Sequence, residues 1–150
     1  MDLLDTLMSK RMKTREVPHW GAYLRKQWET EFANHLSDEK KKSIHLDDGN
    51  GACGYLWHIF SYKTKECLES KKAELAFERE QKDFCYIFYQ HTNDVFIVEN
   101  ASALKAKDLL NEEDIYITDK SFTWTFIITH EKGSYGPYFS TNNKRNAVFK

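Results

Sequence analysis

The apolar residues of this chain change their period between its first half and its second. From residue 19 to residue 36, Trp20, Leu24, Trp28, Phe32 and Leu36 fall at every fourth position, with Tyr23 beside them and Arg25, Lys26 and Glu29 on the opposite side. Steps of four advance about 40° around an α-helix, so this is a broad, slanted stripe on a helix that packs on one side. From residue 122 to residue 129 the period is two. Phe122, Trp124, Phe126 and Ile128 share one face of a strand, and Thr123, Thr125, Ile127 and Thr129 share the other. A chain that opens with helices and closes with strands predicts an α+β domain rather than a doubly wound parallel sheet.

The remaining elements follow from the same signals. Leu3, Leu4, Leu7, Met8 and Met12 recur at helical spacing over 2–12, with Asp2 placed to cap the start. Thr14 to Val17 alternates briefly before Pro18. Ser37 caps a short polar helix to about Ser43, and Asp47 to Gly51 has turn chemistry. Residues 55–62, YLWHIFSY, suit a strand by composition, although a helix fits the pattern as well. Ser70 caps a helix over 71–80, with Ala73, Ala76, Phe77 and Glu80 along one side, and Ser102 caps a short helix to Leu110. Two hairpins are expected: Phe84–His91 with Val95–Glu99, and Ile115–Thr118 with Phe122–Thr129 around Asp119-Lys120-Ser121. The expected fold is a mainly antiparallel sheet of these two hairpins, with a further strand allowed, and N-terminal helices over one face. Trp28, Phe32, Phe88, Trp124 and Phe126 are the expected core. Residues 1–141 form one domain, and 142–150 form a basic tail.

Charge narrows the classes of function. The chain carries 22 Lys and Arg against 23 Asp and Glu, a formal net charge of -1. That balance excludes the gross basic character of a nucleic-acid or anionic-membrane binder. The run Lys10-Arg11-Met12-Lys13-Thr14-Arg15 lacks interleaved aromatics and reads as a solvated helix end. No apolar run is long enough for a transmembrane helix. The N-terminus places acids before bases, the reverse of a signal peptide, and three cysteines without a C-x-x-C pair fit a reducing compartment. A cytoplasmic location is therefore expected. Residues 94–119 hold seven acids and two Lys, a region suited to a basic partner.

Chemistry-bearing motifs are few. Gly49, Gly51 and Gly54 fit neither phosphate-loop spacing, and no cofactor is expected. The six histidines, His19, His35, His45, His58, His91 and His130, include no i, i+4 pair on one helix. No metal is expected; the remaining arrangement is a site assembled from a distance, such as His58 with His91 and His130. Cys53, in the Gly-rich stretch Asn50-Gly-Ala-Cys-Gly-Tyr-Leu-Trp57, is the best candidate nucleophile. His130 or His91 would be its base, with Asn142 or Asn143 to orient it. That reading needs residues 55–62 to be helical, so that a helix N-terminus lowers the thiol pKa. The plainer alternative is a half-buried cysteine in a turn.

Tyr23-Leu-Arg-Lys-Gln-Trp-Glu29, Tyr55 to Tyr62, Cys85-Tyr-Ile-Phe-Tyr-Gln-His91, Glu99-Asn-Ala-Ser102, Asp114-Ile-Tyr-Ile-Thr-Asp119 and Gly136-Pro-Tyr-Phe139 resemble a family of small, functionally uncharacterised proteins. That family comes from Gram-positive, spore-forming bacteria. The resemblance spans nearly the whole chain and implies a single-domain cytosolic bacterial protein, with no catalytic residue attached. The C-terminal phrases Asp-Ile-Tyr-Ile-Thr-Asp, Phe-Thr-Trp-Thr-Phe and Thr-His-Glu also look like the ends of some bacterial toxin-immunity proteins. The expected function is non-catalytic protein binding, of an immunity-like kind, with Arg25, Trp57 and His58 at the recognition surface. The alternative is a cysteine hydrolase or acyl transferase built on Cys53.

Overall fold

The computed structural model describes residues 2–46 and 54–142. In chain order they form α1 (Leu3–Ser9), β1 (Lys13–Glu16), α2 (Gly21–Phe32), α3 (Asp38–Ser43), α4 (His58–Ser61), β2 (Leu68–Glu69), α5 (Ser70–Arg79), β3 (Phe84–Tyr89) and β4 (Val95–Glu99). Two 3₁₀ turns, Ala101–Ala103 and Ala106–Asp108, lead to β5 (Ile115–Thr118), β6 (Trp124–Ile128) and β7 (Tyr138–Thr141). The strands make one seven-stranded sheet in the order β1-β4-β3-β5-β6-β7-β2, and every pairing in it is antiparallel. The two expected hairpins form its centre. Three strands beyond them, β1, β2 and β7, extend it, so two hairpins and a further strand understate the sheet. The outermost, β1 and β2, are short, which limits the unpaired edge left open.

Helices lie on both faces rather than one. Leu3 and Leu7 of α1, Ala73 and Phe77 of α5, and Ala101, Leu104 and Ala106 in and between the 3₁₀ turns cover one side. Leu24, Trp28 and Phe32 of α2, with Ile59 and Phe60 of α4, cover the other. Strand register explains why both sides need cover. Phe96, Ile87, Ile117, Phe126 and Phe139 are neighbours in one row across five strands, all packed beneath α1 and α5. Val95, Phe88, Tyr116, Ile127 and Tyr138 form the next row, facing α2 and α4. A strand apolar on both faces is stable only between two layers. All five expected core residues, Trp28, Phe32, Phe88, Trp124 and Phe126, are buried.

Several local expectations are met. Asp2 accepts from the Asp5 N–H at 2.9 Å and Ser37 from the Lys40 N–H at 3.1 Å, as N-caps do. Others are corrected. The first helix stops at Ser9, because Arg11 takes a left-handed φ of 61°. Ser70 is the first residue of α5 and makes no cap; Glu69 holds that position. Ser102 lies inside a 3₁₀ turn, and no single helix runs to Leu110. Phe122 adopts φ 57° and so leaves the face of Trp124, Phe126 and Ile128 to join the α2 side. Asn142, expected at the head of a tail, is buried and donates its backbone N–H to the Thr123 carbonyl at 3.0 Å.

The largest correction concerns residues 55–62, which form a turn and the short helix α4 instead of a strand. The cause is tertiary. The Leu56 N–H donates to Gln90 Oε1 at 2.9 Å and the Trp57 N–H to the Tyr116 hydroxyl at 3.1 Å. Tyr116 in turn donates to Gln90 Oε1. The sheet thereby satisfies backbone donors that a helix start leaves unpaired.

Candidate functional site

Asp114 sits immediately before β5 with a left-handed φ of 52°. That conformation suits Asp better than most residues. It turns a buried carboxylate toward the start of α4 and the end of β6. Asp114 Oδ1 accepts from the Trp57 indole N–H at 2.9 Å and from the His130 backbone N–H at 3.1 Å. His130 Nδ1 lies 2.9 Å from Oδ2 and 3.0 Å from Oδ1. The carboxylate only accepts, so Nδ1 is the nitrogen that donates to it and Nε2 points away from Asp114.

Rings surround this pair. Tyr55 lies with its ring centre 5.1 Å from those of both His91 and His130, 5.3 Å from His58 and 5.4 Å from Trp57. His58, His91 and His130 therefore do converge, but on a tyrosine. Among the described residues no group of three His, Cys, Asp or Glu side chains could hold a metal ion. Beside the cluster a cleft of 440 Å³ is lined by Trp57, His58, Ser61, Tyr62, Glu131 and Tyr135. His58 is fixed there by its Nδ1, which faces the Ile44 carbonyl at 2.8 Å and the His45 carbonyl at 3.0 Å. Burial lowers its pKa and favours the neutral ring.

A family model for a domain of unknown function, DUF4275, matches residues 1–139. The chain belongs to that family. No curated protein and no solved structure matches it.

In this DUF4275 chain the sequence-predicted residues fall in four groups. Trp57 and His58 line the cleft, with Trp57 almost wholly buried as its floor. Arg25 stands apart and serves the fold. Its guanidinium donates to the carbonyls of Tyr89 at 2.9 Å and Thr92 at 2.5 Å, and to Asn93 Oδ1 at 2.9 Å. It ties α2 to the turn between β3 and β4. Gly21 stands in the same contact, where an added Cβ would come within 2.4 Å of Asn93 Cα. Cys53 and Asn143, the proposed nucleophile and one proposed orienting residue, lie outside the described residues. His130 has its orienting group in Asp114, while Asn142 is engaged with the Phe122 carbonyl.

The acidic stretch 94–119 is largely consumed inside the molecule. Asp108 pairs with Lys10 at 2.6 Å and Glu99 with Lys13 at 3.5 Å. Glu112 accepts from the Tyr89 hydroxyl, and Asp119 from the Thr123 and Trp124 N–H groups. The same pairs engage two bases of the 10–15 run. Sequence reasoning missed Asp114, Tyr55, Tyr62, Glu131 and Tyr135 as site residues. Asp114, Tyr55, Tyr62 and Glu131 stood only within quoted phrases, without a spacing to join them.

Proposed function

We propose that the chain is a cytoplasmic, non-catalytic protein-binding domain whose partner enters the cleft between α4 and the segment after β6. One observation carries this reading: exposed rings stand on immobilised ones. Tyr62 and Tyr135 are 49% and 43% exposed, while Trp57 and His58 behind them are held by hydrogen bonds to Asp114 and to backbone carbonyls. Aromatic anchors fixed in advance lose little entropy on binding and tend to dominate interface energy. A toxin-immunity protein is one kind of such a binder, and the C-terminal phrases support that instance.

Affinity capture from a native-type lysate tests the proposal, with the wild-type chain and the Tyr62→Ala/Tyr135→Ala variant as baits. A partner recovered by the first and lost by the second is expected. The variant's stability should stay within about 1 kcal/mol of wild type, since both positions are surface ones. Recovery of the same proteins by both baits, or of abundant contaminants alone, ends the reading.

The Asp114–His130 pair favours a second reading, the cysteine hydrolase or acyl transferase with Cys53 as nucleophile and His130 or His91 as base. A carboxylate on Nδ1 is the arrangement that orients a histidine base toward a nucleophile. Iodoacetamide labelling at pH 6 decides it. Cys67 and Cys85 are internal controls, because burial pushes their thiols up to about 11 and about 12 and keeps them protonated. Much faster labelling of Cys53 supports the enzyme; equally slow labelling of all three removes it.

A further inference from the structure

Resting on the protein-binding reading, we propose that the cleft receives a cation, namely a protonated Lys or Arg side chain of the partner. Its polar lining combines Glu131 and His58, which accept, with the Ser61, Tyr62 and Tyr135 hydroxyls, which donate or accept. With its Nδ1 proton directed at two carbonyls, neutral His58 has only a lone pair at Nε2. Just outside the lining, His130 Nε2 lies 3.9 Å from Glu131 Oε1. The Glu131 carboxylate and the His58 Nε2 lone pair both suit a ligand N–H. Among the described residues that line the cleft none is a Lys or Arg, and the one formal charge is the Glu131 carboxylate.

The walls favour the same ligand. The ring centres of Trp57 and Tyr135 are 6.1 Å apart with their planes inclined by 31°, and Tyr62 stands against His58 at 5.4 Å. Ring faces attract ammonium and guanidinium groups, and the rings exposed to a ligand here are Tyr62 and Tyr135. A cleft of 440 Å³ also admits the alkyl stem that carries either group. An anionic ligand would meet the Glu131 carboxylate, and a purely apolar one would offer that carboxylate no donor.

The test is NMR titration of the full chain, following the Trp57 indole N–H. The probes are Nα-acetyl-lysine amide, Nα-acetyl-arginine amide, the neutral Nα-acetyl-norleucine amide and the free diamine putrescine. Both cationic amides should bind, about tenfold more tightly than the norleucine amide. Glu131→Gln, at an exposed position, should weaken them about fivefold while leaving the fold intact. Equal binding by the norleucine amide, no binding by either cation, or unchanged affinity in Glu131→Gln overturns the inference. Putrescine binding more tightly than both amides overturns its assignment to a partner's side chain. Failure of the underlying reading looks different. Partner capture that survives Tyr62→Ala/Tyr135→Ala ends the binding reading itself. Capture lost in that variant but unaltered in Glu131→Gln keeps the reading and rejects the cation.

Discussion

Beneath α1 and α5 the sheet presents Phe96, Ile87, Ile117, Phe126 and Phe139, and Phe77 stacks on Phe126 with ring centres 4.3 Å apart. Beneath α2 and α4 the matching row, Val95, Phe88, Tyr116, Ile127 and Tyr138, carries two hydroxyls. That second side also buries Asp114, the Trp57 indole N–H and the Thr125 hydroxyl, which accepts from Trp28 Nε1 at 2.9 Å. Two buried hydroxyls there, Thr118 Oγ1 and Tyr138 OH, have no hydrogen-bond partner among the described residues. Thr118 stands in register with Thr125 and so shares its face. One face is a dry core apart from the buried Lys82 ammonium, which lies over the Phe77 ring at 4.7 Å. The other gives up some stability to hold polar groups in fixed positions, and the cleft lies on that side.

Removing a large ring from each face should give the largest effects and the sharpest contrast. Trp124→Ala on the dry side and Trp28→Ala on the polar side should each cost about 3–5 kcal/mol in denaturant melts. Trp28→Phe should still cost about 1–2 kcal/mol, because it deprives the Thr125 hydroxyl of its donor; Trp124 makes no comparable side-chain hydrogen bond among those described. A Trp28→Phe variant as stable as wild type would break the comparison.

A smaller effect is expected at the site itself. Asp114→Asn keeps the left-handed backbone, which Asn tolerates, but leaves one acceptor oxygen where two served three N–H groups. It should lower stability by about 1–3 kcal/mol and shift the Trp57 indole N–H resonance. An unmoved resonance would show that Asp114 does not hold the indole.

The smallest effect has the opposite sign. Thr118→Val removes an unpartnered hydroxyl at nearly constant volume and should raise stability by about 1 kcal/mol. Tyr138→Phe should act likewise. Destabilisation by both would mean that the polar face is fully satisfied and that the contrast between the faces is wrong.

Hydrophobic period alone determined α2, the two central hairpins and the five core rings, because each depends on which side chains of one segment share a face. The same information could not determine α4: residues 55–62 are apolar on every side, and the groups that cap the turn, Gln90 and Tyr116, come from distant strands. Nor could it determine the register that builds the site. A turn confined to Asp119-Lys120-Ser121 would pair Thr118 with Phe122 and set Asp114 opposite Phe126. In the fold, Asp119 holds the Thr123 N–H at 2.6 Å and Phe122 turns to φ 57°, which lengthens the loop. Thr118 then pairs with Thr125 and Ile115 with Ile128, so Asp114 arrives beside His130. Facing is a local property that the order of residues carries by itself. Which residue lies opposite which depends on a side-chain hydrogen bond inside the turn, and only the folded chain decides that.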